Sequence, residues 1–445
     1  MNYSETDQNA AKCVEPIRLL SSQLRHRLVS TEDKRTERPS HHLIKGLLTV
    51  ILVLLPNLVV AEIGPALSGL TGSANDATAV FFSPAGITRL DQSEMVVQAA
   101  LMFKESKFEV DEATYSGGDS DNDQQIAVIP GVFYARPLNE RWHLGLSVNV
   151  PSGFGNNYGD RWSGRYHTQE STLAFVAATG VLAYELTEKL SLAAGPYAMY
   201  TDSTVTARVN NLLPGYGDGK VELEEDGADL GFVLGAMYQF TDTTRVGLTY
   251  RSELKPDLEG TPTFKNLDPL LRETLAAADL LGTEVDVDFT IPAMASVGFY
   301  TEVTDEWSVT GDLVWLDMSE FGITHLRVEE DSVSVNSKFR DMWATSASIK
   351  YRYAEDRAIS IGGLYASSAV TDDNRDVGLP LDRTIGGGVG WELPIRGYPC
   401  HINLNYFDLG DAEVSQEGGP LTGDFEGSFS SNWAVMLDIQ VKLAL

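Results

Sequence analysis

The chain has 445 residues, with 33 Lys+Arg against 63 Asp+Glu. After residue 61 the balance is 25 against 57, which argues against nucleic acid or an anionic surface as partner, because phosphate binding needs clustered cations. The two cysteines, Cys13 and Cys400, build no disulfide framework and neither has metal-ligand spacing around it.

Residues 1–61 read as a leader. A polar stretch carrying Lys12, Arg18, Arg25, Arg27, Lys34, Arg35 and Arg38 precedes an apolar run over 46–55, which Pro56 and Asn57 break and Val59-Val60-Ala61 ends. The run is shorter than the about 20 apolar residues of a spanning helix. The order of basic side, apolar centre and small residue is that of a secretory signal, with cleavage after Ala61.

Residues 75–91, NDATAVFFSPAGITRLD, come next. Proline fixes φ and glycine permits left-handed backbone, so Ser83, Pro84, Ala85 and Gly86 predict a rigid turn flanked by Phe81 and Phe82.

Beyond residue 92 the apolar residues alternate with polar ones. Leu144, Leu146, Val148 and Val150 alternate with His143, Gly145, Ser147 and Asn149, and Trp433, Val435, Leu437, Ile439 and Val441 with Ala434, Met436, Asp438, Gln440 and Lys442. Strands are predicted near 94–104, 125–136, 142–151, 171–187, 190–202, 228–240, 244–254, 286–300, 307–317, 340–353, 358–368, 382–393, 400–409 and 430–445. Short connections (137–141, 187–189, 241–243, 301–306, 354–357, 394–399) alternate with long ones (105–124, 152–170, 203–227, 255–285, 318–339, 369–381, 410–429). An even strand count with turns at one rim and loops at the other is the layout of an outer-membrane barrel. In lipid, an open sheet edge would leave backbone groups unpaired, so the sheet must close. The fold class is therefore all-β: a transmembrane antiparallel barrel of about 14 strands over 93–445, with residues 62–92 as an N-terminal hatch inside a lumen too wide for its own side chains to fill. The alternative for 62–92 is a disordered periplasmic tail. Aromatics near strand ends (Trp142, Tyr184, Tyr200, Tyr250, Trp307, Trp315, Tyr353, Trp391) suit interfacial girdles.

The hatch stretch resembles that of the FadL-type outer-membrane transporters of long-chain fatty acids and other hydrophobic compounds, with Ser83 where that family has asparagine. The resemblance continues through Val128-Ile129-Pro130, residues 145–158, Trp162, Gly164-Arg165-Tyr166-His167, Leu248-Thr249-Tyr250-Arg251-Ser252-Glu253, Ile291-Pro292, Phe339-Arg340-Asp341 and Asp382-Arg383. It implies a monomer that meets outer-membrane lipid, takes up hydrophobic small molecules passively, and needs no cofactor. It further implies that Pro151 and Gly153 mark an inward kink of the third strand beside a gap in the wall, where a plain loop start is the other reading. By position in the family pattern, Arg208, Lys338 and Arg340 are candidates to hold a ligand carboxylate; the other reading is a structural charge.

Within 255–285, Asp268 can cap a helix, Pro269 suits its first position and Gly282 its end. Leu271 and Leu275 then share one face, either as a greasy landing groove or as a lid packed over the lumen. There is no G-x-S-x-G, Gly153-Phe154-Gly155 lacks the next glycine of a dinucleotide loop, and the histidines are scattered. The expected function is passive outer-membrane transport, not catalysis. A general diffusion porin and an outer-membrane lipid hydrolase stand as alternatives.

Overall fold

The computed structural model describes residues 59–60, 70–121, 123–277, 280–328, 331–334, 339–378 and 380–445. The leader up to residue 58, the cleavage point at Ala61, residues 62–69 and Lys338 lie outside these.

Fourteen antiparallel strands form a closed barrel. They are β1 (Glu94–Ala113), β2 (Asp123–Pro137), β3 in two arms (Trp142–Asn149 and Ser152–Asn157), β4 (Glu170–Thr187), β5 (Leu190–Val209), β6 (Gly219–Gln239) and β7 (Thr244–Arg251). There follow β8 (Met294–Glu302), β9 (Trp307–Leu316), β10 (Met342–Ala354), β11 (Arg357–Ala366), β12 (Thr384–Ile395), β13 (Tyr398–Asp408) and β14 (Phe425–Ala444). Each pairs with the next, and β1 pairs with β14 from Glu94↔Ala444 to Ala113↔Phe425, which shuts the ring.

The period-2 pattern sorts the side chains. On β1, Glu94, Val96, Gln98, Ala100, Met102, Lys104, Ser106 and Phe108 are buried in the lumen, while Val97 and Leu101 face outward. The outer surface is a belt of exposed apolar residues, including Ile126, Leu146, Leu230, Leu248, Ile361 and Leu404, as a lipid-facing wall requires. No described helix is long and apolar enough to cross a membrane; the crossing is made by strands. Trp142 packs against Tyr184 with centroids 4.7 Å apart, and Trp307 stacks on Tyr351 at 4.6 Å. Both pairs lie at the rim of short turns.

Four strands run well past their predicted bounds, β14 among them, which begins at Phe425. β1 continues to Ala113, β5 to Val209, and β6 begins at Gly219, so much of the expected loops 105–124 and 203–227 is sheet. The reason is extra pairing above the membrane: Thr263–Lys265 and Asp257–Gly260 add to β6, and Val414–Gln416 adds to β14. Val205, Val221 and Leu223 bury their side chains on the inner face there.

Residues 70–90 lie inside the barrel. They comprise α1 (Leu70–Ser73), α2 (Ala79–Phe82) and a 3-10 turn (Pro84–Arg89). Ala77, Ala79, Val80, Ala85 and Ile87 share one buried cluster with Phe133, Val181 and Val233 of the wall.

Candidate functional site

The hatch is built from small residues because it must pass close to the wall. A Cβ on Gly72 would lie 2.6 Å from the Phe299 carbonyl carbon, and one on Gly86 would lie 2.2 Å from Ala74 Cβ. The wall answers with glycines at inward positions. A Cβ on Gly247 would meet the Thr71 carbonyl oxygen at 2.1 Å, one on Gly145 would meet Val80 at 2.6 Å, and one on Gly235 would meet Pro84 at 2.7 Å. Side chains at these sites would push the segment off the wall.

β7 holds the hatch by its carbonyls. Arg245, Thr249 and Arg251 are separated by even steps along the strand, so all three point inward from one face. Arg245 Nε donates to Gly72 O at 3.0 Å and Ser73 O at 3.1 Å, Nη2 donates to Asn75 Oδ1 at 2.9 Å, and the guanidinium lies 3.9 Å from the Tyr300 ring centroid. Thr249 Oγ1 donates to Phe82 O at 2.9 Å, and Arg251 Nη2 donates to Phe81 O. Thr71 N donates to Asp312 Oδ1 at 3.1 Å, from β9, two strands along the same stretch of wall. The buried backbone of a short, irregular segment is thereby satisfied, as it must be.

Above the hatch lies a cavity of about 260 Å³. Phe81 and Phe82, edge to face at 5.2 Å, border it from the hatch. Phe175, Met199, Ile291, Leu316, Met342 and Phe407 make apolar wall, and Lys104, Arg251, Asp312 and Asp382 are its charged lining. The arrangement accepts an apolar body and offers a few polar groups to orient one end.

β3 is broken beside this cavity. Its pairing with β2 runs from Pro137↔His143 to Gly131↔Asn149 and stops. Past Val150 and Pro151, which carries no amide donor for a ladder, the arm Ser152–Asn157 pairs with β4 and, at Ser152 and Gly153, with Val60 and Val59. The arm bends inward: Gly155 lies against the Gln125 side chain, and its carbonyl accepts from Lys104 Nζ at 2.9 Å. Over this stretch Ile126 and Val128 of β2 are 71% and 69% exposed.

The long loops pack over the upper ends of β1 and β14. Phe108, Tyr158, Trp162, Phe425 and Phe429 form an aromatic core with Val377, Ala412 and Val414. His167 Nε2 bonds with Gly423 O at 2.6 Å, and burial pushes its pKa below the usual imidazole range. Burial also pushes the Asp376 carboxyl up to about 7, against the bonds it accepts from Gly378 N and Gln416 Nε2.

Of the residues singled out in the sequence, Phe81, Phe82 and Pro151 line the cavity. Ser83 and Ala85 are fully buried in the hatch, and Pro84 abuts Gly235. Asp268 does cap α3 (Pro269–Ala277), its Oδ1 accepting from Leu271 N at 2.9 Å. Leu271 and Leu275 pack down with Leu267 and Leu280, and with Arg208 they border a separate gap of about 20 Å³. Arg208 is paired with Asp160 at 2.6 Å. Arg340 is exposed, its Nε donating to Ser368 O at 3.3 Å, and it is not among the cavity's lining residues. Sequence reasoning passed over the two cations that are, Lys104 and Arg251. Their signal was present: each is a charge on the polar phase of an alternating strand.

Residues 53–440 match the profile of a family described as outer membrane protein transport protein (OMPP1/FadL/TodX). The chain is 23% identical over 352 residues to the long-chain fatty acid transport protein of Escherichia coli O6:H1, covering 72% of this chain and 78% of that one. Among solved structures it resembles a Pseudomonas aeruginosa FadL homologue with TM-score 0.77 and 19% identity, covering 88% of this chain and 99% of that chain. The Pseudomonas putida toluene transporter TodX matches with TM-score 0.59 and 17% identity, over 85% and 99%.

Proposed function

The chain belongs to the outer membrane protein transport family (OMPP1/FadL/TodX), and on that premise we propose that it carries long-chain fatty acids or similar hydrophobic compounds passively across the outer membrane. The observation that carries this reading is the apolar cavity above Phe81 and Phe82 of the hatch, enclosed by the closed barrel. Moving an apolar chain from water into such a site is favourable by about 25 cal/mol per Å² buried, so a guest enters without an energy source.

The relatives named for fatty acids and for toluene mark the range of substrates to test. A greasy wall separates such guests weakly, about 1–3 kcal/mol per methylene. The exit we propose is sideways, where pairing of β2 with β3 ends at Gly131↔Asn149 and Pro151 borders the cavity. The wall there lacks ladder bonds that a guest would otherwise have to break. The arginine clamps on the hatch support lateral exit over passage straight through to the periplasm, and they weigh against an open porin.

The test is uptake of radiolabelled palmitate and toluene by cells stripped of their own transporters, with and without this protein. Mass spectrometry of lipids co-purifying with the folded barrel gives a second reading. No guest retained and no uptake above the empty strain would end the proposal.

A further inference from the structure

Lys104 sits where three parts of the molecule meet. It is an inward residue of β1, 3% exposed, and part of the cavity wall. Its Nζ donates to the Gly155 carbonyl at 2.9 Å and to Asn156 Oδ1, both on the inward arm of β3. From Asn156 the bonding continues upward. Asn156 Nδ2 donates to Tyr158 Oη at 2.9 Å, Tyr158 Oη donates to Val377 O at 2.7 Å, and Val377 N donates to Gln416 Oε1 at 3.3 Å. One hydrogen-bonded chain thus joins the cavity, the kinked arm and the extracellular loops.

The acceptors that the arm offers to Lys104 are neutral, and the nearby carboxylate of Asp123 on β2 is taken up by Gln125 Nε2 and Asn157 N. A guest carboxylate would bring a charged acceptor, and charge-assisted bonds are about twice as strong as neutral ones. Few other places in this cavity suit an anion, since a buried charge without a partner is expensive. Asp312 and Asp382 border the cavity and repel it. Arg251 serves the hatch, through the Phe81 carbonyl and the Phe81 ring.

We propose that Lys104 is the residue by which the cavity distinguishes anionic amphiphiles from neutral hydrocarbons, and that its capture by the ligand's carboxylate releases the inward arm of β3. The inference rests on the transport reading above and adds a substrate class and a trigger to it. A neutral hydrocarbon fills the apolar volume and leaves Lys104 on Gly155 and Asn156. A fatty acid draws the ammonium toward its head group and loosens the arm beside the gap in the wall.

The test pairs radiolabelled palmitate with radiolabelled hexadecane, in cells producing the unsubstituted protein, Lys104→Met or Lys104→Arg. Lys104→Met should lower palmitate uptake about tenfold or more, as loss of a charge-assisted bond requires, while hexadecane uptake stays within about twofold; Lys104→Arg should recover part of the palmitate uptake. Arm position is read by cross-linking Gln125→Cys to Gly155→Cys with a short thiol-specific bifunctional reagent in a Cys400→Ser background, since the Gln125 side chain spans the gap and its Oε1 ends 2.6 Å from where a Cβ at 155 would lie. Palmitate, but not hexadecane, should lower the cross-link yield when Lys104 is present. Full palmitate uptake by Lys104→Met, equal loss of both guests in a barrel of normal heat-modified gel mobility, or a cross-link indifferent to palmitate overturns the inference. If Lys104→Met does not fold, Asn156→Ala decides: it should lower the cross-link yield in the empty protein, and an unchanged yield refutes the latch. Uptake of neither guest by the unsubstituted protein would instead remove the transport reading, and this inference with it.

Discussion

Arg251 lies 3.8 Å above the ring centroid of Phe81 and donates a hydrogen bond to the carbonyl of that same residue. One side chain of the wall thus holds both the backbone and the ring of the hatch residue that borders the cavity. Arg251→Met should loosen the hatch by about 2 kcal/mol, the sum expected from a charged hydrogen bond and a cation–π contact. Single-channel recordings should then show more frequent openings to small ions than in the unsubstituted protein, with the barrel's heat resistance unchanged. A quiet channel would mean that the other hatch contacts suffice.

Of the wall glycines that face the hatch, Gly247 leaves the least room: a Cβ there would lie 2.1 Å from the Thr71 carbonyl oxygen. Gly247→Val has no room, and overpacking of this kind costs about 1–3 kcal/mol. The strain falls on the hatch, because the strand itself is held by ladders to β6 and β8. Limited proteolysis from the periplasmic side should cut within residues 70–90 in this variant and spare them in the unsubstituted protein.

Phe82 borders the cavity and is only partly buried. Phe82→Ala should enlarge the cavity and raise uptake of bulkier guests relative to palmitate, while the barrel keeps its heat resistance. Phe81→Ala, which removes a ring that is 5% exposed in the main cluster, should cost about 3–5 kcal/mol of hatch packing. Competition between palmitate and a branched or polycyclic guest separates the two outcomes.

Asp376 carries a pH dependence outside the membrane. Its folded value of about 7 lies above the ordinary 3.8, so the folded loop binds the extra proton between those values. The stabilisation is complete below about pH 3.8 and is lost as pH rises through about 7. Amide exchange at Val377 and Gly378, corrected for intrinsic rate, should therefore quicken as pH rises from about 4 to about 7 and level off above that. Asp376→Asn should flatten that profile.

The barrel was legible because lipid demands an apolar outer face while the lumen tolerates polar groups, which leaves alternation in strands such as His143 to Asn149 and Trp433 to Val441. The turn at Ser83 to Gly86, buried inside the barrel, was legible in its proline and glycine. Strand extensions such as Ala113 and Val209 were not: Ala113 pairs with Phe425 and Val209 with Gly219, and those partner strands are backed by 414–416 and by 257–260 and 263–265, which come from distant loops. Alternation also tells which face a charge is on but not its height along the barrel. Alternation therefore does not single out Lys104 and Arg251 as cavity residues, and Arg340, a candidate by its position in the family pattern, is exposed.

The bond ladder between Glu94 and Ala444 also sets an order of events. Residues at opposite ends of the barrel's span must find each other before the ring exists, the slowest kind of contact for a chain to make. The hatch is synthesised ahead of β1, yet its partners Gly145, Gly235, Arg245 and Gly298 come from strands made well before the last. A half-finished sheet can therefore wrap the plug as a mould wraps its casting, so that the seam shuts around something already in place.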